Sequence, residues 1–118
     1  MAKVSVVVLA GTEQHSDLGR LLNALELTKE AKEAGDEVEL VFDGAGVSWI
    51  PELENPDHKL HKVYNAVKDR VSGACEFCAQ AFEVKEPVRQ SGIALLGEYE
   101  GHPSLRTRVA EGYEVVTF

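Results

Sequence analysis

The chain has 118 residues, of which 44% are hydrophobic and 27% are charged, a composition typical of one globular domain spanning residues 1–118. Its net charge of −8 would repel a nucleic-acid backbone or an anionic membrane surface, so neither is expected as a partner. The longest near-continuous apolar run, Val4 to Ala10, is far shorter than the ~20 residues that cross a bilayer and is not typical of a signal peptide, so we expect a cytoplasmic protein.

The N-terminal segment predicts a buried strand followed by a long helix. Lys3 to Ala10 is rich in valine and apolar on both faces, as expected of a central parallel strand covered by helices on both sides. After a polar break, Ser16 or Asp17 is expected to cap a helix whose leucines, from Leu18 to Leu25, repeat along one face. Gly35 is expected to end this helix.

The next segment predicts a second strand and a second helix. Apolar and charged residues alternate in Glu37 to Phe42, which indicates a strand parallel to the first, and Asp43 to Gly46 ends it in a loop. We interpret Trp49 to Leu53 as an apolar loop. The pair Asn55–Pro56 is expected to open a helix whose apolar residues run from Leu60 to Val71.

The C-terminal part predicts shorter elements that continue the alternation of strands and helices. Three further strands are expected, at Ser72 to Cys75, Ile93 to Leu96 and Tyr113 to Phe118. Two short helices are expected between them, at Glu76 to Phe82 and Ser104 to Glu111. Five strands alternating with helices predict an α/β protein: a three-layer α/β/α domain around a mostly parallel five-stranded sheet.

Ligands of an open parallel sheet bind at the carboxyl ends of its strands, so the segments expected there are the first place to look for a site. Four such segments follow predicted strands: Gly11 to Ser16, Asp43 to Leu53, Cys75 to Cys78, and Gly97 to His102. Together they contain both cysteines of the chain and two of its four histidines.

The spacing Cys75-x-x-Cys78 is the main chemical signal in these segments. Two cysteines are too few for a disulfide-stapled secreted fold and are more typical of redox, metal-binding or nucleophilic chemistry. Cys75 is predicted to lie at a strand end, directly before a helix, where unpaired backbone N–H groups would stabilise its thiolate. Cys78 is expected in the first helical turn, within reach of Cys75 as a disulfide partner or a second sulfur site.

Other interpretations of the same residues stay open at this point. Both thiols could be small core residues, since apolar side chains surround them in the sequence. A zinc site would need His15 or His102 to complete the cysteine pair. His15, in a polar loop, is a functional candidate or a surface residue, and His102 is a candidate cap of the last helix.

Taken with this order of strands and helices, several segments resemble the DsrE/DsrF-like family of small sulfur-relay proteins, and the resemblance covers nearly the whole chain. In that family, a cysteine after the third strand precedes a short helix and a Gly-hydrophobic pair, whose place is taken here by Glu83-Val84. The segments that carry the resemblance are Val6 to Leu9 with Gly11-Thr12, the helix from Leu18 to Gly35, Val41 to Gly46, Gly73 to Cys75, and Gly112 to Val116.

The resemblance implies a cytoplasmic α/β domain that forms oligomers and passes persulfide sulfur between donor and acceptor proteins. It implies Cys75 as the sulfur-accepting nucleophile, with a lowered thiol pKa, and Cys78 is interpreted as an auxiliary thiol. His15 and Asp43 are candidates to tune the thiol, a role that the family motif does not assign. No cofactor and no metal are predicted. The alternative is a non-catalytic module that binds a small ligand or assembles into an oligomer.

Overall fold

One sheet of five parallel strands runs through the protein, whose residues 1–118 are all described by a computed structural model. The strands are β1 (Lys3–Val8), β2 (Glu37–Phe42), β3 (Val71–Cys75), β4 (Leu95–Leu96) and β5 (Glu114–Thr117). Their order across the sheet is β4-β3-β2-β1-β5, and every neighbouring pair is parallel. The expected α/β architecture with a five-stranded sheet is confirmed, and the sheet is parallel throughout.

Six helices connect the strands. They are α1 (His15–Glu33), α2 (Trp49–Glu54), α3 (His61–Val67), α4 (Glu76–Ala81), α5 (Lys85–Gln90) and α6 (Leu105–Ala110), with short 3₁₀ turns at Gly44–Ser48 and Lys68–Arg70. None of the helices combines the length and the apolar character that a bilayer crossing requires.

The main hydrophobic core lies between the sheet and α1 and α3. Alternate residues of the two central strands, such as Val6 and Leu40, are fully buried there against Leu21 and Leu25 of α1 and Tyr64 of α3. Successive side chains of a strand point to opposite faces of the sheet. The strand residues that lie between these buried ones therefore face the other side of the sheet.

A buried polar cluster occupies that other face of the sheet. Glu39 of β2 is only 9% exposed, and its Oε2 accepts a hydrogen bond from Nε of Arg108 at 2.6 Å. Ser5 of β1 donates to the same carboxylate, and Ser72 of β3 donates to Oε1 at 2.6 Å. Arg108 is 8% exposed, so this ion pair fastens α6 to the middle of the sheet.

The start of α1 differs from the prediction. Ser16 and Asp17 lie inside the first turn rather than at its cap, because the helix begins at His15 and is preceded by Gln14, whose side chain makes no capping hydrogen bond. The predicted helix end is confirmed, since Gly35 follows α1 with a φ of 80°.

The interpretation of Trp49 to Leu53 as a loop is wrong, because these residues form most of α2. Ile50 and Leu53 are one turn apart and fully buried, and Trp49 Nε1 donates to the Ala10 carbonyl at 2.8 Å. Tertiary contacts therefore stabilise a helix too short to produce a clear periodic pattern.

The second predicted helix begins later than its proline suggested. Asn55 Oδ1 accepts a hydrogen bond from the N–H of Asp57 and so stabilises a turn instead of a helix start, and α3 begins only at His61. At the other end Val71 opens β3, not the last turn of the helix.

The buried ion pair yields a stability prediction. We expect Arg108→Ala to lower the free energy of unfolding by about 3–5 kcal/mol, because it leaves the Glu39 carboxylate buried without its countercharge. Arg89→Ala is the matched control: Arg89 lies 3.6 Å from Glu86 in an exposed pair, and its loss should cost less than about 1 kcal/mol. Urea denaturation of both variants measures the difference, and equal losses would contradict a special role for Arg108.

The same carboxylate predicts the acid limb of the stability curve. Burial raises the pKa of Glu39, but hydrogen bonds from Ser5, Ser72 and Arg108 and the Arg108 charge outweigh burial and hold the pKa below the ordinary 4.5. A lowered folded-state pKa stabilises the protein above the unfolded-state pKa, and this stabilisation is lost as the pH falls through the folded-state pKa.

We therefore expect the free energy of unfolding to fall as the pH drops below 4.5, and to fall less steeply in Glu39→Gln. Urea titrations at several pH values measure the slope. Glu86→Gln, in the exposed pair, serves as the control and should keep the slope of the wild type. An unchanged slope in Glu39→Gln would show that other carboxyl groups govern acid unfolding.

Candidate functional site

Side chains from three strand ends meet at the carboxyl edge of the sheet. Cys75 is the last residue of β3, Cys78 lies in the first turn of α4, Asp43 directly follows β2, and His102 lies in the segment after β4. One polar atom from each of these four side chains lies within 4.8 Å of those of the other three. We call Asp43, Cys75, Cys78 and His102 the edge cluster.

Cys75 stands at the centre of the edge cluster and is fully buried. Its Sγ lies 3.3 Å from Nδ1 of His102 and accepts a hydrogen bond from the backbone N–H of Cys78, also at 3.3 Å. The Gly101 carbonyl is 3.8 Å from Sγ. The thiol proton therefore has two acceptors within reach, an imidazole nitrogen and a backbone oxygen.

Cys78 is half-buried and faces Asp43. Its Sγ lies 3.8 Å from Oδ1 of Asp43, which also accepts a hydrogen bond from the N–H of Gly44 at 2.8 Å. The two thiols thus differ in their neighbours: an imidazole contacts the buried one, and a carboxylate contacts the more accessible one.

The expectation of a lowered thiol pKa is wrong. Burial raises the pKa of Cys75 to about 12, and the neighbouring Asp43 carboxylate and Cys78 thiol act in the same direction. The hydrogen bond from the Cys78 N–H opposes the shift but is outweighed. At neutral pH Cys75 is therefore a thiol at rest, and nucleophilic chemistry requires a base to take its proton.

A tight turn brings His102 to Cys75. The N–H of Tyr99 donates to the His102 carbonyl, and the His102 N–H donates back, both at 2.9 Å. Between them Glu100 and Gly101 have φ values of 50° and 83°, the positive pair found in type I′ turns. The Phe77 ring lies 4.8 Å from the His102 imidazole, and the backbone N–H of Phe77 donates to the Gly101 carbonyl. Because Phe77 belongs to α4, these two contacts let α4 hold the turn in place.

Hydrogen bonds also link the buried ion pair of Glu39 and Arg108 to the segment that carries this turn. Glu98, one residue before it, accepts hydrogen bonds from the N–H of Ser104 at 2.9 Å and from Nη1 of Arg108 at 3.4 Å. Because Arg108 is fixed by Glu39, the segment that carries His102 is tied to the centre of the sheet.

Gly73 lets β4 approach β3 closely. A Cβ at this position would come within 2.6 Å of the Ala94 carbonyl oxygen and of the Leu96 side chain, so a larger residue would displace the strand. The short β4 leads directly into the segment that carries His102. The distance between β4 and β3 therefore determines where that segment begins.

Glu83 lies in the turn that follows α4. It has a φ of 59°, in the left-handed region that glycine adopts most readily. The turn after α4 thus holds a non-glycine residue in a conformation suited to glycine.

The structure brings some of the predicted site residues together and places another outside the site. Cys75 and Cys78 are brought together, whereas His15 is exposed at the start of α1 and is not part of the edge cluster. His102, expected as a possible cap or as a histidine that would complete a zinc site, is the histidine that contacts Cys75, and the cap of α6 is Ser104. In the sequence, His102 is marked as a site residue only by its place after a predicted strand. That place brings it to Cys75 because β4 lies beside β3 in the sheet.

A cavity of about 310 Å³ opens elsewhere at the carboxyl edge of the sheet. It is mainly polar and is bounded by Gly11, Thr12, Ser48 and Phe82, with Glu13 and Asp17 among the other lining residues. No member of the edge cluster lines it, so the cavity and the thiols are separate features.

No protein-family model matches the sequence. The uncharacterized protein MJ0733 of Methanocaldococcus jannaschii is 33% identical to it over 96 residues, an alignment that covers 81% of this chain and 78% of that protein. The chain belongs to the MJ0733 family.

A solved structure extends the comparison to the fold. The protein BT1422 of Bacteroides thetaiotaomicron, described as a conserved protein of unknown function, superposes with a TM-score of 0.64 over 97% of this chain and 94% of its own, at 17% identity. This likeness supports the three-layer α/β/α architecture and no more. The sulfur-relay function of this MJ0733 family member stays a prediction.

The different burial of the two thiols predicts their order of alkylation. In the reduced, folded protein, iodoacetamide should modify Cys78 before Cys75, with Cys75 at least about tenfold slower, since its sulfur is buried and protonated. Mass spectrometry of peptides from a time course measures both rates. In urea the two rates should converge, and faster alkylation of Cys75 in the folded protein would contradict the described environment.

Proposed function

We propose that the protein is a sulfur carrier that accepts a persulfide sulfur on Cys75 and transfers it to another thiol. The observation that carries the proposal is the contact of Cys75 Sγ with His102 Nδ1 at 3.3 Å, beside the second thiol of Cys78. A thiol with a base in contact becomes a nucleophile when the base takes its proton, even where burial keeps it protonated at rest.

The accepting step needs only the donor persulfide and these side chains. As the Cys75 proton moves to His102 Nδ1, Sγ attacks the outer sulfur of the donor persulfide. The donor sulfur–sulfur bond breaks, and the donor leaves as a thiolate that takes the proton from His102. The products are a Cys75 persulfide and a donor thiol, with no net oxidation or reduction.

The backbone contributes to the same step. The N–H of Cys78 donates to Cys75 Sγ at 3.3 Å and favours the negative charge that develops on sulfur as the proton leaves. This hydrogen bond already lowers the pKa of Cys75, although burial has the larger opposite effect. His102 therefore supplies a proton acceptor and the Cys78 N–H stabilises the thiolate.

Cys78 suits the role of an auxiliary thiol. When Cys78 gives up its proton, its sulfur can attack the outer sulfur of the Cys75 persulfide. The sulfur–sulfur bond at Cys75 breaks, and the Cys75 thiolate that leaves takes up the released proton. The products are a Cys78 persulfide and a Cys75 thiol. Since Cys78 is half-buried and Cys75 fully buried, this exchange moves the sulfur toward the surface, where an acceptor protein can reach it.

Aromatic side chains around the edge cluster suit protein partners. Phe77, which packs against His102, is 58% exposed, and Tyr99, at the start of the His102 turn, is 65% exposed. Exposed aromatic rings are common at protein contacts. Donor and acceptor proteins, a cytoplasmic location and assembly into an oligomer belong to the proposal, in agreement with the resemblance to the DsrE/DsrF-like family.

Intact-mass analysis after incubation with a low-molecular-weight persulfide tests the proposal. We expect the wild type to gain one sulfur atom, Cys78→Ser to gain it as well, and Cys75→Ser to lose the gain. His102→Asn should load more slowly, because the proton acceptor is missing. His15→Ala, an exposed histidine outside the edge cluster, is the matched control and should load as the wild type does.

Two results would overturn the assignment. Absence of added sulfur from every variant would reject a sulfur carrier and favour the binding module. Added sulfur that persists in Cys75→Ser and disappears in Cys78→Ser would make Cys78 the acceptor. Circular dichroism of each variant excludes unfolding as the cause of a lost signal.

A further inference from the structure

We infer that the edge cluster is also a binding site for a thiophilic divalent cation, with zinc as the ion that its side chains fit. The cluster offers two sulfurs, one imidazole nitrogen and one carboxylate oxygen. The inference goes beyond the proposed function and stands on the arrangement of these atoms, whether or not Cys75 carries sulfur.

The distances already approach those of a tetrahedral zinc centre. Zinc–ligand bonds of about 2.0–2.3 Å place neighbouring ligand atoms roughly 3.3–3.8 Å apart. Cys75 Sγ and His102 Nδ1 are 3.3 Å apart, and Cys78 Sγ and Asp43 Oδ1 are 3.8 Å apart. All four ligand atoms lie within 4.8 Å of one another, so closing around an ion requires shifts on the order of 1 Å in the remaining pairs.

The kinds of ligand select the class of ion. Thiolate and imidazole ligands favour zinc and other thiophilic metals, whereas magnesium and calcium prefer sites built from oxygen. Four protein ligand atoms within 4.8 Å of one another match the number of ligands in the closed coordination of zinc. The spacing of Cys75 and Cys78 places both sulfurs on one strand-to-helix junction, and β2 and the His102 turn supply the other two ligands.

The charges in the edge cluster also leave room for a cation. Asp43 takes part in none of the salt bridges of the structure, and neither of its oxygens is bound by lysine or arginine. Oδ1 accepts from Gly44, and Oδ2 makes no hydrogen bond. A metal ion would displace the thiol protons and supply the positive charge that this carboxylate lacks.

Zinc and the donor persulfide would both engage the sulfur of Cys75. Zinc coordination draws electron density from the thiolate and takes up His102, the proton acceptor, so metal binding should slow sulfur loading. This consequence, unlike the metal site itself, rests on the proposed function.

Cobalt(II) and zinc titrations of the reduced, chelator-stripped protein test the inference. We expect one cobalt ion per chain, with the visible absorption of a tetrahedral thiolate centre, and its displacement by one equivalent of zinc. Elemental analysis after gel filtration should find one zinc per chain. Cys75→Ser and Cys78→Ser should each weaken the sulfur-to-cobalt absorption. Each should also lower zinc affinity at least about tenfold, because a lost ligand costs no less than a lost outer-shell partner.

Asp43→Asn tests the carboxylate ligand of the proposed centre. The asparagine can still accept the hydrogen bond from Gly44, so the turn is retained, but zinc affinity should fall at least about tenfold, because a lost ligand costs no less than a lost outer-shell partner. Asp57→Asn, an exposed carboxylate outside the cluster, is the matched control and should bind zinc as the wild type does.

Absence of cobalt absorption together with less than stoichiometric zinc in the wild type would overturn the inference. Zinc that binds equally well to the wild type, Cys75→Ser and Asp43→Asn would place the ion elsewhere and would also overturn it. Either result leaves the persulfide measurement unaffected, because sulfur loading is followed by mass in metal-free buffer.

Discussion

The ion pair between Glu39 and Arg108 is the constraint on which the second face of the sheet depends. A carboxylate on a central strand is costly to bury, and here a guanidinium and two serine hydroxyls surround it. The guanidinium that neutralises the carboxylate belongs to α6. The same contact therefore compensates the buried charge and places α6 over the sheet. Through Glu98 the same arginine also restrains the segment that carries His102.

The properties of Cys75 follow from this arrangement. A strand-end cysteine beside unpaired N–H groups suggests a thiolate, but full burial has the larger effect and raises its pKa to about 12. The imidazole that could remove its proton is supplied by another part of the chain, held by the Tyr99–His102 turn and the Phe77 ring. Reactivity at this sulfur thus depends on a tertiary contact more than on its local position.

Sulfur transfer and metal binding make different demands on the same four side chains. Sulfur transfer needs a Cys75 sulfur that the donor persulfide can reach and a free base, whereas a metal centre needs all four groups directed at one point. A shared fold does not choose between them, because unrelated functions recur on α/β domains of this kind. Only the metal centre uses Asp43 as a ligand, whereas in sulfur transfer its charge acts on Cys75 by raising the thiol pKa.

The sequence by itself determined the alternation of strands and helices, the glycine that ends α1, and the position of Cys75 at a strand end, because each depends on local periodicity or on one residue's backbone preferences. Tertiary structure decided that α2 is a helix, that Glu39 is buried, and that His102 rather than His15 contacts Cys75. The physical reason is that burial and contact depend on which strands are neighbours in the sheet. With β3 between β2 and β4, Asp43 and His102 converge on Cys75 from residues 32 positions before and 27 after it, a separation over which local patterns carry no information.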